Sequence, residues 1–256
     1  MSGILDNKTI LVAGVLNESS IAFAAAAEAQ ESGAEVMLTS YGRRASITRM
    51  VAKRLPRPAR ILEFDAESES DVDALSLELK KLPAQLDGVI HCISASRPTV
   101  VGPHFTTARW EDVEHSFRVS AYSYQALVRA CEPHLRDGSS VVGCTVDATR
   151  AWPVYGWAGV AKAAYESTNQ YMALHLGARG IRCNLVAAGP LSSATMRSIE
   201  GIDAIDEIWS ARAPLPWDAN DFKPVARTLT VLLSDWLPST TGEVIHCDAG
   251  FHAAAY

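Results

Sequence analysis

The 256-residue chain is 48% hydrophobic with a formal net charge of −6, enough apolar material to fill one large core and the wrong sign for a nucleic-acid partner. No apolar run approaches the ~18 residues of a membrane span, and the first residues, MSGILDNK, lack the basic and apolar regions of a secretory leader, so a cytoplasmic protein with no membrane partner is expected. Five cysteines without C-x-x-C spacing and seven histidines without paired ligand spacing predict reduced thiols and no metal site.

In chain order, TILVA at 9–13 reads as a strand that ends in Gly14, and the alanine-rich stretch 21–30 reads as a helix. Gly14 permits a sharp turn, and Ser20 stands where a helix N-terminus offers its hydroxyl and free N–H groups to a pyrophosphate. A single glycine here does not make the G-x-G-x-x-G fingerprint, and a plain β-α turn would read the same way. The alternation then recurs: strand 35–39, helix 43–54, strand 59–63 and helix 68–80, the last opened by Ser68 with Asp71 three residues on. Strand 88–93, a long helix over 110–131 and strand 140–144 follow. Helix 156–176, strand 181–188, a helix over 223–233 opened by Pro224, and strand 242–247 complete the chain. Seven apolar strands joined by helical crossovers predict an α/β fold, a Rossmann-type doubly wound parallel sheet in a single domain over 1–256. Ligands of such sheets bind at the carboxyl ends of the strands.

Two local features bear on chemistry. Tyr155 and Lys162 form a Y-x6-K pair, and a spacing of seven is about two helical turns, which predicts both side chains on one helix face. A phenol so placed can donate a hydrogen bond to an oxygen gaining charge, while a nearby ammonium can hold ribose hydroxyls and lower the phenol's pKa. The same spacing fits a helix with a surface lysine and a half-buried tyrosine, so the pair decides nothing alone. Charge is also segregated, with seven basic and no acidic residues over 43–60 and an acidic stretch over 63–78. Two compensating solvated faces would explain this, as would Arg43 and Arg44 placed beside an adenosine ribose or an acidic partner.

Several stretches carry a family resemblance: LVAG with Gly14, Ser20 and Ala22 in a G-x5-S-x-A pattern, SSIAF, SAYSY at 120–124, NLVAAGP at 184–190 and LLSDWLPSTTG at 232–242. Over Asp6 to Gly250 the chain resembles the enoyl-acyl-carrier-protein reductases of the divergent short-chain dehydrogenase/reductase group, nearest to its mycolic-acid-pathway branch. Ordinary members of that superfamily use Y-x3-K, and no tyrosine here has a lysine four residues on.

The resemblance implies an NADH-dependent reductase of trans-2-enoyl thioesters in fatty-acid biosynthesis, with the acyl group on acyl carrier protein, NADPH as the alternative cofactor, and a homotetramer. A carbonyl or enone reductase of the same superfamily and a catalytically silent dinucleotide-binding protein are the other readings. It further implies Tyr155 and Lys162 as catalytic residues. Gly14, Ser20, Ile21, Tyr41, Asp65, Ala66, Ile93, Ser94, Val119, Lys162, Ser193 and, through its backbone, Leu191 would bind the cofactor, and Tyr155, Met196 and Val146 the substrate. Ser94 stands where the family usually has glycine, so a side chain is expected beside the nicotinamide, and an aromatic usual near Val146 is missing. A short substrate lid is expected near 192–212, shorter than in the mycolic-pathway enzyme, with Ile199, Ile202, Ile205, Ile208 and Trp209 at helical spacing.

Overall fold

A computed structural model describes residues 3–254 other than Ser198 and Glu200, and leaves aside the Asp203 side chain. Met1, Ser2, Ala255 and Tyr256, part of the expected 1–256 domain, lie outside the described residues. The strands are β1 (Thr9–Ala13), β2 (Glu35–Ser40), β3 (Arg60–Glu63), β4 (Leu86–His91), β5 (Leu135–Thr145), β6 (Arg182–Ala188) and β7 (Val244–Cys247). They form one seven-stranded parallel sheet in the order β3-β2-β1-β4-β5-β6-β7. The strand order reverses between β1 and β4, and a crevice at the carboxyl ends of these two strands follows from that reversal. The doubly wound single-domain expectation holds.

Helices cover both faces, because strands buried on both sides need apolar partners on both. On one face lie α1 (Ile21–Glu31), α2 (Arg44–Ala52) and α9 (Lys223–Leu233). Small residues let α1 sit close: Ala22, Ala25, Ala26 and Ala29 are buried in a core with Ile10, Val12 and Leu229. On the other face lie α3 (Glu69–Leu79), α4 (Trp110–Phe117), α5 (Ser123–Cys131) and α6 (Trp157–Leu176), over a core of Leu75, Tyr124, Leu127, Tyr165 and Leu185. Two further helices, α7 (Ala194–Arg197) and α8 (Ile202–Arg212), follow β6 outside the sheet's two layers. No described helix is long and apolar enough to cross a membrane.

Four differences from the sequence reading have physical causes. The helix expected over 110–131 is broken into α4 and α5 by a π-helical turn, Arg118–Tyr122, whose wider bore places Val119 at the crevice. Strand β5 starts five residues before the expected Ser140: polar Arg136, Asp137 and Gly138 look like a turn, yet Leu135 pairs with Leu86 before the ladder shifts register towards Gly88. The strand expected over 88–93 runs instead from Leu86 to His91, which leaves Ile93 and Ser94 free in the crevice loop. Finally, α6 begins at Trp157 and not at Gly156, which takes Tyr155 out of the continuous helix that the Y-x6-K spacing assumes.

Candidate active site

The carboxyl ends of β1 to β6 open onto one cleft of about 340 Å³. Gly14 makes the turn after β1 at φ +110°, and a Cβ there would lie 2.3 Å from the Cys92 carbonyl oxygen, so the two strand ends touch backbone to backbone. Ser20 caps α1: its hydroxyl accepts from the Phe23 amide at 3.2 Å and donates to the Asn17 carbonyl at 2.7 Å. With no acidic residue in the first turn of α1, the helix presents its N-terminal positive end to the cleft uncompensated.

Tyr41 follows β2, and the Arg44 guanidinium lies over its ring at 5.4 Å, so both line the cleft from the same side. Asp65 and Ala66 follow β3, with the Asp65 carboxylate accepting from the Glu67 amide at 3.0 Å. Beyond β4, Ser94 lines the cleft while its hydroxyl shares a 3.1 Å hydrogen bond with Ser120, which turns the group aside onto the π-helical turn. Val146 follows β5, and Ser193 and Met196 close the far side. Of the positions expected from the sequence, Leu191 is the one whose side chain does not line the cleft: it is 3% exposed and packs into the core beneath.

Tyr155 and Lys162 meet in this cleft by a different route from two turns of one helix. Gly156 separates them from regular geometry at φ +49°, where a Cβ would stand 2.8 Å from the Val100 carbonyl oxygen. That kink swings Tyr155 out ahead of α6 while Lys162 projects from its second turn. The Tyr155 hydroxyl points to Met196 Sδ at 3.9 Å, a weak partner that a better acceptor would displace.

Lys162 is held from below. Its Nζ donates to the Cys144 carbonyl oxygen at 2.9 Å and lies 4.9 Å from the centroid of the Tyr165 ring. Burial draws the ammonium below the usual lysine range, against the opposing pull of Cys144, Cys92 and Glu166. Burial, aided by the Asp206 carboxylate, pushes the Tyr155 phenol above its ordinary value. The expectation that the lysine lowers the phenol's pKa is therefore corrected: desolvation dominates, and the ammonium is directed at Cys144. A phenol that keeps its proton is a donor, not a base.

Beneath Lys162 runs a chain of buried hydrogen bonds that fixes its own proton positions. Ser123 donates to the Val119 carbonyl at 2.6 Å, so its oxygen accepts from His91 Nε2 at 2.8 Å, which leaves His91 Nδ1 to accept from the Tyr165 hydroxyl at 2.9 Å. Burial, and then the Lys162 charge, pulls His91 down to about 3, so the ring stays neutral. Tyr124 and Tyr165 cross edge to face at 5.0 Å between centroids, and Tyr124 donates to Asn169 at 3.0 Å.

The sequence reading missed three contributors. Asn17 lines the cleft and its Oδ1 is buried with no partner, so a ligand hydroxyl there would satisfy it. Cys92 and Cys144 also line the cleft, which only the strand register reveals. An aromatic cluster of Trp152, Trp209 and Phe251 backs Tyr155, with Trp209 stacked on Phe251 at 3.9 Å. Three tryptophans at 152, 209 and 217 were a legible signal of it. Among the described residues, no group of three or more His, Cys, Asp or Glu side chains is placed to hold a metal ion.

A family model described as enoyl-(acyl carrier protein) reductase matches residues 14–252. The chain is 42% identical to the NADH enoyl-(acyl-carrier-protein) reductase of Mycolicibacterium smegmatis, over 98% of both chains. It is 30% identical to the Bacillus subtilis NADH enzyme of the same name over all of both chains. It is also 30% identical to an NADPH enzyme of that name from Staphylococcus aureus, over 97% of this chain and 98% of the relative.

Proposed function

We propose, from the premise that this chain belongs to the enoyl-(acyl carrier protein) reductase family, how its cleft reduces the 2,3 double bond of a trans-2-enoyl thioester with NADH in fatty-acid biosynthesis. The observation that carries the reading is the convergence of a proton-keeping Tyr155 and a dry, anchored Lys162 in one cleft at the β1/β4 reversal.

The cleft suits a dinucleotide: the α1 N-terminus and Ser20 can take the pyrophosphate with Ser193, Tyr41 with Asp65 and Ala66 can take the adenosine, and Ile93, Ser94 and Val119 can line the nicotinamide end. The orphaned Asn17 oxygen is one place where such a ligand would complete a hydrogen bond. Leu191, its side chain buried, can contribute only through its backbone. When bound, the reduced nicotinamide supplies the hydride that goes to the substrate β-carbon. Lys162 would hold ribose hydroxyls from above Tyr165, and its anchorage on the Cys144 carbonyl limits where the ribose can sit. Tyr155 would exchange its weak Met196 contact for the thioester oxygen and donate to it as negative charge develops there. One such donor is commonly worth ~3 kcal/mol, about a hundredfold in rate.

The lid over 192–212 consists of α7 and α8, with Ser198 and Glu200 outside the described residues. It would form the acyl wall, with Met196 and Val146 against the substrate. Exposed Val160, Tyr171 and Leu174 on α6, the last two 71% and 79% accessible, support the proposal of a homotetramer, which light scattering at micromolar concentration tests; a monomer refutes it. Tyr165, Met172 and Leu176 of the same helix are buried against the sheet and take no part in that surface. For the mechanism, Tyr155→Phe should lower kcat/KM about a hundredfold while NADH binding by fluorescence stays within twofold. An unchanged rate removes Tyr155 from the chemistry.

A further inference from the structure

Cys92 and Cys144 stand one residue beyond the paired His91 and Gly143 of β4 and β5, so they face each other across adjacent parallel strands. Their side chains lie on the same face of the sheet, both packed with Ile90 and Val142. Their sulfurs are 3.8 Å apart, with the Cys92 thiol directed at Cys144. Strand spacing of roughly 4.8 Å falls within the Cα separations that a disulfide spans, roughly 4.4 to 6.8 Å, and closure to a sulfur–sulfur bond of about 2.05 Å needs about 1.7 Å of movement. Both residues line the cofactor cleft, and Cys92 is the more exposed of the two. The remaining thiols do not combine these features: Cys131 and Cys183 are buried in the opposite core, and neither they nor Cys247 lines the cleft.

From this geometry we infer that Cys92 and Cys144 are a dithiol switch that a hydroperoxide closes to a disulfide, and that closure and dinucleotide binding oppose each other. The chemistry balances in two steps. The Cys92 sulfur attacks the peroxide, an S–O bond forms as the O–O bond breaks, and the released hydroxide leaves as water with the thiol proton. The Cys144 sulfur then attacks Cys92, the S–S bond forms as the S–O bond breaks, and the hydroxyl leaves as a second water with the Cys144 proton. Two thiols lose two electrons, and one peroxide is reduced to two waters. Cys92 is the attacking sulfur because the cleft admits the oxidant to it, whereas its hydrogen bond to Cys144, together with burial, holds the Cys144 thiol well above its ordinary pKa.

Two contacts carry closure into the site. The Cys144 carbonyl is the acceptor that anchors Lys162, and the Cys92 carbonyl packs against Gly14 so closely that no Cβ fits between them. Drawing the two sulfurs together therefore disturbs the ribose anchor and the phosphate turn at once. Conversely, a dinucleotide in the cleft covers Cys92. Linkage makes the two effects reciprocal, because a disulfide that weakens cofactor binding must itself be disfavoured by cofactor.

The test uses the purified protein exposed to hydrogen peroxide with and without saturating NAD+, alkylated, digested and read by mass. The expected result is a Cys92–Cys144 linked peptide two hydrogens lighter than its reduced parts, formed more slowly with NAD+ and absent from Cys92→Ser and Cys144→Ser. Oxidised protein should bind NADH at least about tenfold more weakly, with affinity restored by dithiothreitol. Oxidation of Cys92 to the sulfinic acid with no linked peptide overturns the inference, and so does a linked peptide that leaves NADH affinity unchanged. These readouts are mass and binding in the wild-type protein, so they stand apart from turnover of any acyl substrate.

Discussion

The two walls around Tyr155 are built on opposite principles. Under Lys162 the wall is polar and completely buried: Ser123, His91 and Tyr165 form one run of directed hydrogen bonds, Tyr124 and Asn169 a second, and the two meet where the tyrosine rings cross edge to face. Over Tyr155 the wall is α8, the proposed lid, held by stacked aromatics, with Ile205 and Trp209 buried and Ile208 left to solvent. Hydrogen bonds fix angles, whereas apolar contacts fix only proximity. The first wall can therefore hold the Tyr165 ring in a fixed place under the Lys162 ammonium, and the second can yield to chains of different shape. Besides the main cleft, Tyr155 borders a small pocket of about 10 Å³ toward the aromatic cluster, bounded by Val146, Trp152, Pro190, Ile205 and Trp209, with room for about one water.

The comparison breaks most severely if the polar wall tolerates added bulk. Gly143 on β5 makes room for Tyr165: a Cβ there would lie 1.9 Å from the Tyr165 hydroxyl and 2.9 Å from the His91 carbonyl oxygen. Gly143→Ala should cost about 1 to 3 kcal/mol or more by overpacking, seen as a lower midpoint in denaturant at unchanged slope. A midpoint equal to wild type would mean that the wall is as compliant as the lid.

A second test comes from pH. His91 is neutral in the fold down to about 3, while in the unfolded chain it takes up a proton near its ordinary value of about 6.5. A depressed folded value means that the unfolded state binds more protons in that window, so stability should fall progressively as pH drops from about 6.5 towards 3 and then stop falling on this account. Denaturant titrations over that range should show the loss, and His91→Asn should flatten it. An equal acid slope in the variant would assign the loss to other groups.

How much of this could be read from the residues depends on the distance over which each feature is determined. The sheet was legible because seven apolar strands with crossovers admit few arrangements, and Gly14 and Ser20 lie in the local turn that their residue types favour. The cleft positions followed from the strand ends, and the buried Leu191 side chain is compatible with the backbone contact expected there, since a residue just past a strand can turn either into the cleft or into the core. The approach of Tyr155 was not legible, because a Y-x6-K spacing assumes continuous helix and Gly156 interrupts it with a positive φ set by Val100, more than fifty positions earlier in the chain. The buried chain from Ser123 to Tyr165 was equally hidden, because it joins α5, β4 and α6 through single hydrogen bonds that leave no periodic trace.

One assay reads both the role of Tyr155 and the limit set by the proposed lid: product analysis of NADH oxidation with linear trans-2-enoyl thioesters from C4 to C16, with ketones and free enones alongside. The account predicts saturated thioester at every length, no reduction of the ketones, and a kcat/KM that stops rising at or below C12. Each further methylene covered would add ~0.8 kcal/mol of apolar burial, which the proposed lid would supply only up to that length. Turnover of ketones without enoyl thioesters would contradict the role given to Tyr155, and a steady rise through C16 would contradict the role given to the lid.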